Sequence, residues 1–206
     1  MKKSLWNLYV WQLKDVILAS LIAVLFAVVC YATVHSVVFA VTPLVTPFGF
    51  GDIAIEFVFG IFFFSAIFSP YIMQKPGVAT VVGTLTGLIQ ILMGSAFSST
   101  VLVSALVQGL SAEAVFAMFR YRKFNWFTML LAALACTVGS FVLAWYRGLW
   151  TDLDPGFVAT RFIIRAVSAL LISGIAAKFL ADRLAKAGVL KSYPLGAKYK
   201  GEPDES

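Results

Sequence analysis

Charge is scarce in this sequence: only 13% of its 206 residues are Asp, Glu, Lys or Arg, and histidine occurs once. A water-soluble domain carries roughly twice that charged share, so composition argues against one. His35 and two cysteines, Cys30 and Cys136, supply no cluster with the spacing of a metal site. Both cysteines lie inside apolar runs, where they behave as small hydrophobes and say nothing about redox compartment. No GxxxxGK[ST] stretch occurs, so ATP hydrolysis by the P-loop route is excluded. A lone histidine with scattered acids also offers no catalytic pair for an intramembrane enzyme. The net charge of +6 falls in short clusters between apolar runs. It therefore reads as a topology signal, not a nucleic-acid surface.

What the chain does have is oil. Hydrophobic residues make up 61%, with 19 Phe, and the mean hydropathy is +0.92. A helix needs about 20 mainly apolar residues to cross a bilayer. Six segments qualify: residues 16–34, 53–72, 78–93, 100–119, 126–146 and 157–180. The third is slightly short. The sequence thus predicts an all-α integral membrane protein, a six-helix bundle forming one domain over residues 1–196, with a polar tail at 197–206.

Lys2, Lys3, Lys14, Lys75, Arg120, Arg122, Lys123, Lys178, Arg183, Lys186 and Lys191 collect on one side of these spans, whereas the other holds little beyond Arg147 and Arg161. By the positive-inside rule both termini are cytoplasmic. The first apolar run is too long for a signal-peptide core and is read as retained. On the outer side, "HSVVFAVTPLVTPFGFGD" at 35–52 is apolar and unlike a solvated linker. It is expected to fold down as a lid, and with the loop carrying Trp150, Asp152 and Asp154 to cover a cavity open to the outside.

Polar side chains within the spans are few, and each is costly in lipid unless it faces a partner or a wet cavity. Glu56, Gln90, Gln108 and Arg165 fall in the outer half or near mid-depth, and Glu113 lies nearer the cytoplasm. Either amide alone reads somewhat better as interhelical glue than as a ligand contact. Together with Phe59 and Phe63, which share a helical face with Glu56, and with Phe97, Trp145 and Tyr146 near helix ends, they suit a small planar ligand. Rings would stack on it, the carboxylate would pair with a cationic group, and the amides would fix its edge. Glu113 and Arg165 are expected to form a structural polar pair, although Arg165 can equally neutralise Glu56, and Glu113 can take a backbone donor. In the first span, Ala19, Ala23 and Ala27 form a small-residue stripe that would let another helix approach.

The stretches "FGIFFFSAIFSPYIMQKPG" at 59–77, "LVQGLSAEAVFAMFRYRKFNW" at 106–126 and "DPGFVATRFIIRAVSALLISGIAAKFLADRLAKAGVL" at 154–190 resemble the substrate-binding S components of energy-coupling factor (ECF) vitamin transporters, and within them the YkoE group. The resemblance covers most of residues 15–196 and implies a bacterial subunit in the cytoplasmic membrane. It would capture thiamine or its hydroxymethylpyrimidine moiety, with no cofactor and no catalysis of its own. It further implies a transmembrane coupling subunit and two ATP-binding subunits as partners, with Ala19, Ala23 and Ala27 as the docking face. Gln90 departs from that group, where a carboxylate is expected, which leaves open a related pyrimidine or a changed affinity. Two readings of other classes remain from the residues: an intramembrane enzyme acting on lipid or prenyl substrates, and a scaffold whose polar groups are only helix glue.

Overall fold

The computed structural model describes residues 10–48, 51–95, 99–149 and 153–199; Phe97, Trp150 and Asp152 lie outside them. All regular structure among these residues is helical. The elements are α1 (Leu13–Val45), a 3₁₀ stretch (Gly51–Val58) leading into α2 (Ile61–Met73), α3 (Val78–Leu92), α4 (Ser99–Met118), α5 (Trp126–Tyr146), α6 (Pro155–Lys186) and the short α7 (Pro194–Lys198). Five helical segments are long and apolar enough to cross a membrane, and α3 is a shorter apolar helix of 15 residues. Such a chain becomes helical because lipid offers no partner for backbone N–H and C=O groups, which an α-helix satisfies within itself.

Helix ends are fixed by identifiable donors and acceptors. Asn125 caps α5, accepting from the Thr128 amide at 3.0 Å while the Thr128 hydroxyl accepts from the Asn125 N–H. Asp154 caps α6 through the Gly156 and Phe157 amides at 2.8 and 3.2 Å, with Pro155 in the first turn, where its missing N–H costs nothing. The turn between α2 and α3 needs left-handed backbone at Gln74 (φ 51) and Gly77 (φ 81), and Gly77 takes that conformation without strain.

The run expected to be a loop is mostly helix. α1 continues through a π turn at Val37–Val41 into Thr42–Val45, followed by a 3₁₀ turn at Thr46–Phe48. Pro43 does not stop it, because it sits in the first turn of Thr42–Val45. The sixth helix also runs further than its apolar core, carried through a π segment at Leu170–Ala176 into the basic turns that end at Lys186.

In the core, α3 packs on α4, α1 on α3 and α2, and α5 on α4 and α6. Small residues let α3 and α4 cross closely: a Cβ on Gly109 of α4 would lie 2.9 Å from the Thr80 Cα of α3. Ala19, Ala23 and Ala27 belong to this interior, at 3%, 0% and 0% exposure. The alanine stripe is therefore not an outward docking face but the surface on which α1 closes against α2 and α3. Its outward residues are larger: Val16, Ile17, Leu21, Val24, Leu25 and Val28.

Candidate functional site

A cavity of about 370 Å³ opens at one end of the bundle, between the 3₁₀ stretch with the start of α2, the second half of α3, the first half of α4, the end of α5 and the start of α6. This is a typical size for a small-molecule pocket, which spans roughly 300–1,000 Å³. Its walls follow helical spacing. Gly83, Thr86 and Gln90 come from α3, Val101, Ser104, Ala105 and Gln108 from α4, Ser140, Leu143, Ala144 and Arg147 from α5, and Arg161 and Arg165 from α6.

Four of the expected ligand residues line it: Glu56, Phe59, Gln90 and Gln108. Three described ones do not. Phe63 is wholly buried in the core, and its place in the wall is taken by Phe62. The reason is backbone geometry: Phe59 N–H donates to the Glu56 carbonyl and Phe62 N–H to the Phe59 carbonyl, so positions three apart eclipse one another as in a 3₁₀ helix. Spacing computed for an α-helix picks the wrong ring. Trp145 and Tyr146 are 67% and 88% exposed, because the cavity side of α5 holds positions 140, 143, 144 and 147.

One wall is an ion cluster. The Arg165 guanidinium grips Glu56 with both arms, Nε to Oε2 at 2.5 Å and Nη2 to Oε1 at 2.7 Å, and its Nη1 donates to Ser140 Oγ at 3.1 Å. Arg161 adds Nε at 3.1 Å and Nη2 at 3.0 Å, both to Oε1. Glu56 is fully buried and Arg165 is 4% exposed. The same guanidinium carbon lies 3.7 Å from the Phe59 ring centroid and 4.6 Å from that of Phe141. Behind it, the Gly60 N–H donates to Ser168 Oγ at 3.0 Å, and the Ser173 hydroxyl donates to the Gly60 carbonyl. These bonds lock the 3₁₀ stretch to α6.

The opposite wall is uncharged. Among the described residues, Gln90 is held only by a long Nε2 contact of 3.4 Å to the Thr86 carbonyl, and its amide oxygen has no partner. Gln108 is 5% exposed, and among the described residues its side-chain amide makes no hydrogen bond. A buried amide normally finds partners. Here its unused donors and acceptor border the cavity. The Thr86 hydroxyl donates its one proton to the Val82 carbonyl at 2.8 Å and accepts from the Ser65 hydroxyl at 3.1 Å, and so anchors this wall.

Glu113 belongs to another part of the molecule. Its Oε1 accepts from the Gly77 amide and the Tyr121 hydroxyl, both at 2.6 Å, and its Oε2 from the Ala79 and Thr80 amides at 2.9 and 3.3 Å. Glu113 and Arg165 are thus not a pair: the carboxylate meets the orphan amides at the start of α3, while Arg165 meets Glu56 near the start of α6. His35 is also away from the cavity, its Nδ1 3.0 Å from the Tyr31 carbonyl and its ring tilted against that of Tyr31 at 3.9 Å between centroids. Among the described residues no group of three or more His, Cys, Asp or Glu is placed to hold a metal ion.

Sequence reasoning missed Phe62, Thr86, Ser104 and Ser140, and assigned Arg161 to topology alone. The arginine was findable: Arg161 and Arg165 are one α-helical turn apart in the apolar part of α6, a spacing that aims both at one acceptor.

Comparison with known proteins agrees with this architecture. Residues 14–139 match the family described as "ABC-type cobalt transport system, permease component". A crystal structure of an S component of an ECF transporter superposes with a TM-score of 0.84 at 31% identity, covering 93% of this chain and 94% of that one. The chain belongs to the ECF transporter S components, a class of membrane transport subunits. Its likeness within that class is to the "Putative HMP/thiamine permease protein YkoE" of Bacillus subtilis (strain 168), 32% identical over 92% of both chains, and the chain is YkoE-like.

Proposed function

We propose that this chain is the substrate-capturing subunit of an ATP-driven ECF importer, binding thiamine or its hydroxymethylpyrimidine moiety in the cavity. The observation that carries the reading is the pair of under-used buried amides, Gln90 and Gln108, facing Phe59 and Phe62 across a space of small-molecule size. An aminopyrimidine is flat and presents donors and acceptors along one edge, which two amides can meet while a ring covers its face. The name of the Bacillus subtilis relative points to the same ligand class.

In this reading all six helices cross a bacterial cytoplasmic membrane, both termini are cytoplasmic and residues 1–196 act as one domain. The cavity then faces outward, with Arg147 and Leu149 at its mouth and the 3₁₀ stretch as the element that covers it. Movement comes from partners, a transmembrane coupling subunit and two ATP-binding subunits. The chain itself is a binding protein, not an enzyme.

Isothermal titration of the detergent-purified chain with hydroxymethylpyrimidine and with thiamine tests this. Tight one-to-one binding of at least one is expected. Gln108→Ala should weaken it roughly three- to tenfold, the loss of one or two neutral hydrogen bonds, with little change in melting temperature. A folded chain that binds neither compound overturns the proposal.

A further inference from the structure

This inference rests on the vitamin-capture reading and concerns how ligand enters and leaves. We infer that Ser168 and Ser173 are positioning residues: they clasp Gly60 by both of its backbone groups and hold the 3₁₀ stretch against the cavity, and release of this clasp sets the rate of ligand exchange.

Gly60 joins the 3₁₀ stretch, which carries Glu56, to α2. As the residue that caps α2 it has an N–H with no acceptor in its own helix, and Ser168 Oγ accepts from it at 3.0 Å. Its carbonyl takes the Phe63 N–H at 3.1 Å and also the Ser173 hydroxyl. Gly60 and both serines are buried, so water does not stand in for either bond. The two backbones also touch: a Cβ on Gly60 would lie 2.5 Å from the Ser168 carbonyl oxygen and 3.0 Å from the Ile172 Cβ.

A break in helical register makes the clasp two-sided. Arg161, Arg165, Ser168 and Ile172 follow one another at spacings of three and four, and so share a face of α6. Five positions are about 1.4 α-helical turns, which would turn Ser173 well away from Ser168. The π segment at Leu170–Ala176 spreads its turns over more residues and returns Ser173 to Gly60. Below it, α6 also holds the far end of α2, where the Tyr71 hydroxyl donates to Asp182 Oδ1 at 2.7 Å. α2 is thereby fixed to α6 at both ends, and Gly60 is the point about which the 3₁₀ stretch can swing. Arg161 and Arg165 also tie that stretch through Glu56, but their long side chains have the rotamer freedom to follow it, whereas a serine has one short arm. A ligand buried over roughly 70–90% of its surface, as in most small-molecule pockets, leaves only when a wall gives way.

The test measures association and dissociation of radiolabelled hydroxymethylpyrimidine and thiamine on the purified full-length chain, with amide hydrogen exchange at residues 53–60 read in the absence of ligand. In Ser173→Ala and in Ser168→Ala both rates are expected to rise in step, roughly three- to tenfold for one lost hydrogen bond, with affinity nearly unchanged and exchange at 53–60 faster. Loss of general stability alone would not raise both rates together, and the second variant serves if the first does not fold. Ser111→Ala, whose hydroxyl bonds only the Val107 carbonyl of its own helix among the described residues, should leave both rates as they were. Unchanged rates in a folded clasp variant overturn the inference and leave vitamin capture standing, as does faster dissociation with association unmoved, which would mark a contact to the ligand. If the unaltered chain binds neither compound, the capture reading falls and the exchange role with it, while unaccelerated hydrogen exchange in the variants would remove the clasp itself.

Discussion

Glu56 shows how far one side chain can determine its surroundings. A fully buried carboxylate is tolerable only with its partners in place, and it draws two arginines from a helix more than a hundred positions away. Glu56→Gln keeps the shape but removes the charge, leaving Arg165 buried without a counter-ion. Its apparent stability should fall by about 3 kcal/mol or more, read as a lower melting temperature in detergent. Pairing it with Arg165→Met should restore part of that loss, because the second change removes the stranded cation. A double variant at the additive sum of the singles would mean that the two side chains are not energetically coupled. The sequence made Glu56, Gln90 and Gln108 stand out, since polar groups in an apolar span are rare and costly. It did not indicate which partner each would meet: Arg165 has two acids within plausible reach in one dimension, and only the packing of α6 on the 3₁₀ stretch decides between them.

At the scale of the element, Glu113 acts as a cap supplied from another helix. The first amides of α3 have no intrahelical acceptor, and a carboxylate from α4 takes those of Gly77, Ala79 and Thr80 together with the Tyr121 hydroxyl. Negative charge is also favoured there by the helix dipole. Glu113→Ala should therefore cost about 1–3 kcal/mol, with amide hydrogen exchange accelerated at residues 77–80 and the cavity end of the bundle unaffected. Equal acceleration at Thr86 and Gln90 would show that the carboxylate supports the whole of α3 and not only its start. Helix positions were readable from apolar length, and the fifth helix falls on its expected limits of 126 and 146. Residues 37–48 were not readable in this way. Pro and Thr there suggest a loop in water, whereas an apolar chain does better by continuing its own hydrogen bonds.

For the whole molecule, the decisive quantity is which face each helix turns inward, and α1 is the least legible case. It is apolar on every side, so its sequence has no polar stripe to mark the outside. The alanines that look like a docking surface instead bring α1 close to α2 and α3, and any partner arriving on this side meets the aliphatic ridge of Val16, Ile17, Leu21, Val24, Leu25 and Val28. The two arrangements differ in what a bulky residue does to the chain alone. Ala23 has no exposed surface, so Ala23→Leu must force the helices apart at a cost of about 1–3 kcal/mol, lowering the melting temperature of the isolated protein without any partner present. Val24→Ala, on the outward ridge at 49% exposure, should leave that temperature nearly unchanged. An Ala23→Leu chain that melts normally but fails to assemble with its coupling subunit would instead place the alanine stripe on the outside. The bundle would then have to close on α1 through the ridge, reversing the face that this packing buries.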